Sequence, residues 1–128
     1  MVIDTSAIAA ILLGEPEAAD FIAKIAAANV RLISAATLLE CQIVMMVRKG
    51  ELGRAELQLF VHEAELEVVA FDQNQVDFAA LAWQRYGKGR HPAALNYGDC
   101  FAYALAKATG EPLLFKGADF SQTDIAIC

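Results

Sequence analysis

Five acidic side chains stand where a carboxylate is either costly or well aimed. Asp4 ends a short apolar run, "MVID", that reads as a strand. Glu40 lies inside "SAATLLECQIVMMV" and is the only acid between Asp20 and Glu51. Asp99 opens the helix-like stretch "NYGDCFAYALAK", and Asp119 and Asp124 lie in "LLFKGADFSQTDI", just past another apolar run. Each has an ordinary explanation when taken alone. An Asp at a helix start caps free amides and meets the positive end of the dipole. A Glu in an apolar helix can mark its solvent edge, and an Asp after a strand can make a turn. Taken together, Asp4, Glu40, Asp99 and Asp119 fit one geometry: four carboxylates converging on a crevice from two strand ends and two helices.

Such a cluster needs a counter-charge. Two carboxylates ~4 Å apart repel by about 4 kcal/mol at an effective dielectric near 20, so either some bind protons or a cation enters. Carboxylate ligands without clustered His or Cys favour Mg2+ or Mn2+ over zinc. His62 and His91 are far apart and have no ligand spacing. A hard cation in an acidic crevice suits phosphoryl chemistry, where it activates water and stabilises charge on the phosphate oxygens and leaving group.

The elements that must position these acids follow from periodicity and breakers. Residues 2–3 read as a strand. Thr5 or Ser6 can cap a helix over 8–13 that Gly14 ends, and Asp4 itself is a further candidate for that cap. Pro16 opens a helix over 17–28, and a second strand covers 30–33. Ser34 caps a helix over 35–48 that Gly50 stops, and another helix covers 54–66. A strand at 68–71 leads to a helix at 74–86, then to the loop "GKGRHPAALNYGD". A helix at 100–108 ends at Gly110, a fourth strand covers 113–115, and 125–127 is a candidate fifth. Alternating helices and short, wholly apolar strands predict an α/β fold: a parallel sheet of four to five strands with helices on both faces. Ligands in such sheets bind beyond the carboxyl ends of strands, where strand order reverses. If the strands before Asp4 and before "KGAD" are neighbours, the crevice lies between them.

Composition sets the frame. A chain of 128 residues fits a single domain, 1–128, whose core needs no disulfide staple. With 57% hydrophobic residues the chain is not disordered, and it has apolar surface to spare for a partner. A net charge of -6 argues against nonspecific nucleic-acid binding by the whole surface, though not against a substrate held at a cation-bearing cleft. No apolar stretch is long enough for a membrane span. Three unpaired cysteines and a start without a charged leader predict a reduced, cytoplasmic setting.

At these residues the sequence resembles a known family. "MVIDTSA", "SAATLLE", "RHPAALNYGDCFAYALAK" and "PLLFKGADFSQTDI" are similar to the PIN-domain ribonucleases, in particular the VapC-type toxins of bacterial toxin–antitoxin systems. The resemblance implies a PIN-like three-layer sandwich and a Mg2+- or Mn2+-dependent acidic site. Asp4, Glu40 and Asp99 match the first three family acids. Asp119 matches the fourth region, where the acid's place drifts, and Asp124 is its alternative. Thr5 and Ser6 match the small hydroxyl residues after the first Asp, which orient water or the carboxylate or cap the helix. The resemblance also implies an RNA substrate, such as tRNA or another structured RNA, and products with a 5'-phosphate and a 3'-hydroxyl. It implies a cognate VapB-type antitoxin, a homodimer, and contact with DNA only through the antitoxin. Leu38, Met45, Met46 and Val47 are candidates for an adaptable partner groove. Arg85, Lys88 and Arg90, in the densest basic stretch, and Lys116 are candidates to hold RNA phosphates. Tyr97 and Phe101 are candidates to stack on a base.

Two other readings compete. In a phospho-receiver domain, Asp72 after "VVAF" would accept phosphate and Lys116 would be its lysine, leaving Glu40 and Asp99 without a role. In an inactive binding module of PIN-like fold, the acids would serve only as caps.

Overall fold

The computed structural model describes residues 1–128. The elements run β1 (Val2–Ile3), α1 (Thr5–Leu12), α2 (Ala18–Ala27), β2 (Leu32–Ser34), α3 (Ala35–Glu63), β3 (Glu67–Val69), α4 (Gln73–Tyr86), α5 (Tyr97–Thr109) and β4 (Leu113–Leu114), with a short 3-10 turn at Phe120–Gln122. The four strands form one parallel sheet in the order β3-β2-β1-β4. The chain lays down β1, β2 and β3 in one direction and then returns to place β4 on the other side of β1. Strand order therefore reverses between β1 and β4, whose register pairs Val2 with Leu113 and Ile3 with Leu114. The crevice expected there is the one that Asp4 and the segment after β4 border.

Strand alternation divides the core. Ile3, Ile33 and Leu114 point to one face and pack with Ala7, Ile8, Phe21, Met45 and Leu57 from α1, α2 and α3. Val2, Leu32 and Leu113 point to the other and pack with Ala82, Tyr103 and Leu105 from α4 and α5. Helix, sheet and helix make the three layers that short apolar strands require.

Of four boundaries, the first two fall among the expectations and the last two depart from them. Asp4, not Thr5 or Ser6, caps α1, its side chain accepting from Ser6 N. Gly50, at φ 61 and ψ -144, breaks the helical backbone as expected, and a second helical segment, counted within α3, follows it to Glu63. The kink, a conformation open to glycine, joins the two expected helices without a loop. Helix α5 begins at Tyr97 rather than Cys100, because Asn96 and Asp99 form a reciprocal capping box. The expected fifth strand reduces to one bridge between Ile127 and Leu113.

Candidate active site

Asp4 follows β1 directly and is 4% exposed, on the rigid end of a buried strand. Its Oδ2 accepts two bonds from Ser6, one from the backbone amide at 3.0 Å and one from the hydroxyl at 2.6 Å. The same hydroxyl accepts the Lys116 amide at 2.9 Å. One serine thus links the carboxyl ends of the two neighbouring strands. Burial pushes the Asp4 carboxyl above its ordinary value, the Ser6 bonds pull it back, and the Glu40 charge adds to the rise.

Glu40 enters from α3. Thr5 Oγ1 donates to its Oε1 at 2.5 Å, so the residue after Asp4 holds the acid that comes from the next layer. The glutamate is half-buried and aimed at the crevice rather than at the solvent edge of its helix.

Asp99 comes from the first turn of α5 and has two roles at once. Its side chain accepts the Asn96 amide at 3.0 Å while its own amide donates to Asn96 Oδ1 at 3.0 Å. Burial raises its carboxyl to about 6 against the pull of the Asn96 bond, and the charges of Asp4, Asp119 and Glu40 raise it further. Capping by Asp99 and its place within the field of the other acids are therefore compatible. Asp119 is exposed just ahead of the 3-10 turn and makes no capping bond, so its carboxylate stays available to the crevice.

Asp124, the alternative fourth acid, lies elsewhere. It accepts the Tyr103 hydroxyl at 2.6 Å and an ion pair from Lys107 at 2.6 Å. Burial works against the charged form, but Lys107 and Tyr103 together hold its carboxyl below the usual value.

The basic candidates separate as well. Lys116 is paired with Glu15, and with Glu17 at 3.1 Å. Arg85 acts on the Tyr103 hydroxyl, on the Asp124 side of α5. Lys88 and Arg90 are exposed, and Lys88 lines a surface pocket with Trp83, Asn96 and Tyr97, beside the start of α5. Tyr97 is 78% exposed, whereas Phe101 packs edge-on between Phe71 and Tyr97. Of the proposed partner-groove residues, Met45 is buried in the core and Leu38 is half-buried. Before the Gly50 kink, the large exposed apolar side chains of α3 are Leu39, Ile43, Met46 and Val47, an i, i+4, i+7, i+8 stripe; Leu52 and Leu59 are exposed beyond it.

The receiver reading loses its geometry. Asp72 caps α4 after β3 and accepts the Gln75 amide, while Lys116 follows β4. Since β3 and β4 are the two opposite edges of the sheet, these residues cannot share one phosphate.

The acids do not form a closed cage: no three Asp, Glu, His or Cys side chains stand at metal-holding spacing. Their electrostatics still fit a hard cation. Asp4 and Asp99 are both raised, each in part by other acids of the set, and Lys116, whose backbone amide meets Ser6, has its ammonium committed to Glu15 and Glu17. An all-oxygen donor set with unspent negative charge is the chemistry that Mg2+ or Mn2+ requires.

The chain belongs to the PIN-domain family, whose model matches residues 1–126. Among its relatives, a VapC ribonuclease of Mycolicibacterium smegmatis is 56% identical over 126 residues, covering 98% of each chain. Ribonuclease VapC30 of Mycobacterium tuberculosis is 54% identical, covering 98% of this chain and 96% of its own. In fold, the chain is similar to Mycobacterium tuberculosis VapC20, described as a sarcin-ricin loop cleaving toxin, with a TM-score of 0.80 at 17% identity over 99% of this chain and 97% of that one. VapBC2 from Rickettsia felis, bound to a DNA fragment from its promoter, gives a TM-score of 0.76 at 18% identity over 98% of this chain and 94% of that one.

Proposed function

We propose that this chain is a divalent-cation-dependent endoribonuclease and the toxin of a type II toxin–antitoxin pair. The observation that carries the reading is the gathering of Asp4, Glu40, Asp99 and Asp119 beyond β1 and β4, where mutual repulsion adds to burial in lifting Asp99 to about 6. Similarity over nearly the whole length to ribonucleases named VapC supports it independently.

In this reading Asp4, Asp99, Asp119 and Glu40 hold Mg2+ or Mn2+. The cation supplies counter-charge to the phosphate oxygens and eases deprotonation of water. Ser6 fixes the Asp4 carboxylate. Thr5 occupies Glu40 Oε1, which leaves Oε2 to orient a water or take its proton. Asp99, its carboxyl raised to about 6, would be the more fully ionised with a counter-charge beside it. The substrate is a structured RNA, such as tRNA or a ribosomal stem-loop, gripped by Lys88 and Arg90 at the rim with Arg85 more distant. Lys116 reaches phosphate only after leaving Glu15 and Glu17. A cognate antitoxin covers the Leu39, Ile43, Met46 and Val47 stripe, and the toxin works as a homodimer in the cytoplasm, meeting DNA only through the antitoxin.

Sequencing of cellular RNA 5' ends after brief induction tests this. New 5'-phosphate ends at one or a few structured sites are expected with the wild type and not with Asp4→Asn. An unchanged 5'-end profile would contradict it.

A further inference from the structure

Gly98 occupies the first turn of α5, yet its own backbone does not call for glycine. The glycines with positive φ are Gly14, Gly50, Gly89, Gly110 and Gly117, and Gly98 is not among them. Alanine would suit a helical turn better, since glycine there costs conformational entropy. The reason for glycine lies across the crevice. A Cβ on Gly98 would stand 2.9 Å from both Cδ and Oε1 of Glu40, and closer still to Oε2. All three nearest atoms belong to that one carboxylate group. From another direction Thr5 Oγ1 donates to Oε1. The Glu40 carboxylate is thus seated between a hydroxyl from α1 and a bare Cα from α5, one residue before Asp99 in the chain.

We propose that Gly98 is a positioning residue for Glu40: its missing side chain is the slot that lets the carboxylate reach α5, one residue before Asp99. The consequence for cation binding rests on the nuclease reading above; the seat itself does not. Because only the flexible end of Glu40 blocks a Cβ at this position, Gly98→Ala leaves the helix intact and displaces the glutamate.

The test uses the full chain in four forms: wild type, Gly98→Ala, Glu40→Ala and the double variant. Carboxyl 13C NMR of the cation-free protein reads the seat directly. Gly98→Ala should move the Glu40 resonance and leave that of Asp124 in place. Calorimetric titration with Mn2+ should show Kd raised at least about fivefold by Gly98→Ala in the wild-type background and unchanged by it in the Glu40→Ala background. Thermal melting should show Gly98→Ala raising Tm when Glu40 is absent, as expected of alanine replacing glycine in a helix. An unmoved Glu40 resonance would overturn the proposal, as would the same loss of Mn2+ affinity or of Tm in both backgrounds. If the wild type binds no Mn2+ or cuts no RNA, the nuclease reading fails, while the resonance and the melting comparison still decide the role of Gly98.

Discussion

The Ser6 hydroxyl donates to Asp4 at 2.6 Å while it accepts the backbone amide of Lys116 at 2.9 Å. Through that one oxygen the acid at the end of β1 is tied to the strand that lies beside it in the sheet and 110 residues away in the chain. The bond orients the carboxylate, and it lowers the cost of ionising it in a buried place.

Ser6→Ala removes both bonds at once. The Lys116 amide loses its acceptor and Asp4 loses the bond that most favours its charged form. A loss of about 1–2 kcal/mol in stability is expected by denaturant melting. Cation-dependent cleavage should fall by about tenfold, because only the Ser6 backbone amide is left to hold Asp4 in place. Ser6→Thr, which keeps the hydroxyl, should recover most of both.

Asp99 sets a pH dependence whose sign can be worked out. Its carboxyl is near 3.8 in the unfolded chain and about 6 in the folded one. Across that window the folded state binds more protons, so stability of the cation-free protein falls as pH rises from about 4 to 6. The raised carboxyl of Asp4 acts in the same direction. Asp99→Asn should flatten this part of the Tm profile. Added Mg2+ competes with the protons, so the Tm gain it produces should shrink as pH drops below about 6. A wild-type profile that rises through this window would contradict the assignment.

Asp119 and Asp124 should part company. Asp119 is exposed and makes no capping bond, so Asp119→Asn should reduce cleavage severalfold with little change in Tm. Asp124 is tied to Tyr103 and Lys107, so Asp124→Ala should cost about 1 kcal/mol of stability and leave cleavage per folded molecule near the wild-type rate. Melting curves beside a cleavage assay separate the two.

Charge at the rim should act on binding rather than chemistry. Lys88→Ala and Arg90→Ala are expected to raise KM with kcat little changed and to weaken the salt dependence of RNA binding. Lys116→Ala should change KM less, since its ammonium is already paired with Glu15 and Glu17.

The candidate acids are legible in the chain itself. Asp4, Glu40 and Asp99 stand out because an acid in an apolar strand or helix is conspicuous locally. That a crevice lies between β1 and β4 was conditional on their being neighbours, which the sheet order supplies. What stayed hidden was non-local. Lys116 meets Glu15 across 101 residues, with no periodic trace of the pairing in the chain. Asp124 looked like a site acid because it trails Asp119 in sequence, yet its partners lie on α5. Gly50 reads as a break and is one, but that the next helix resumes with no loop between carries no signal in the chain. Gly98 is silent for the opposite reason: a glycine between Tyr97 and Asp99 carries no signal until the atom that needs its space is known.

The central claim is that the acids act through a divalent cation on RNA. It is tested most directly by incubating metal-stripped toxin with a 5'-labelled structured RNA, adding back Mg2+ or Mn2+, and then adding EDTA. Cleavage is expected only with the cation, should stop with EDTA, and should be absent with Asp4→Asn at every cation concentration. Cleavage that continues undiminished in EDTA, or that Asp4→Asn leaves intact, would contradict the account.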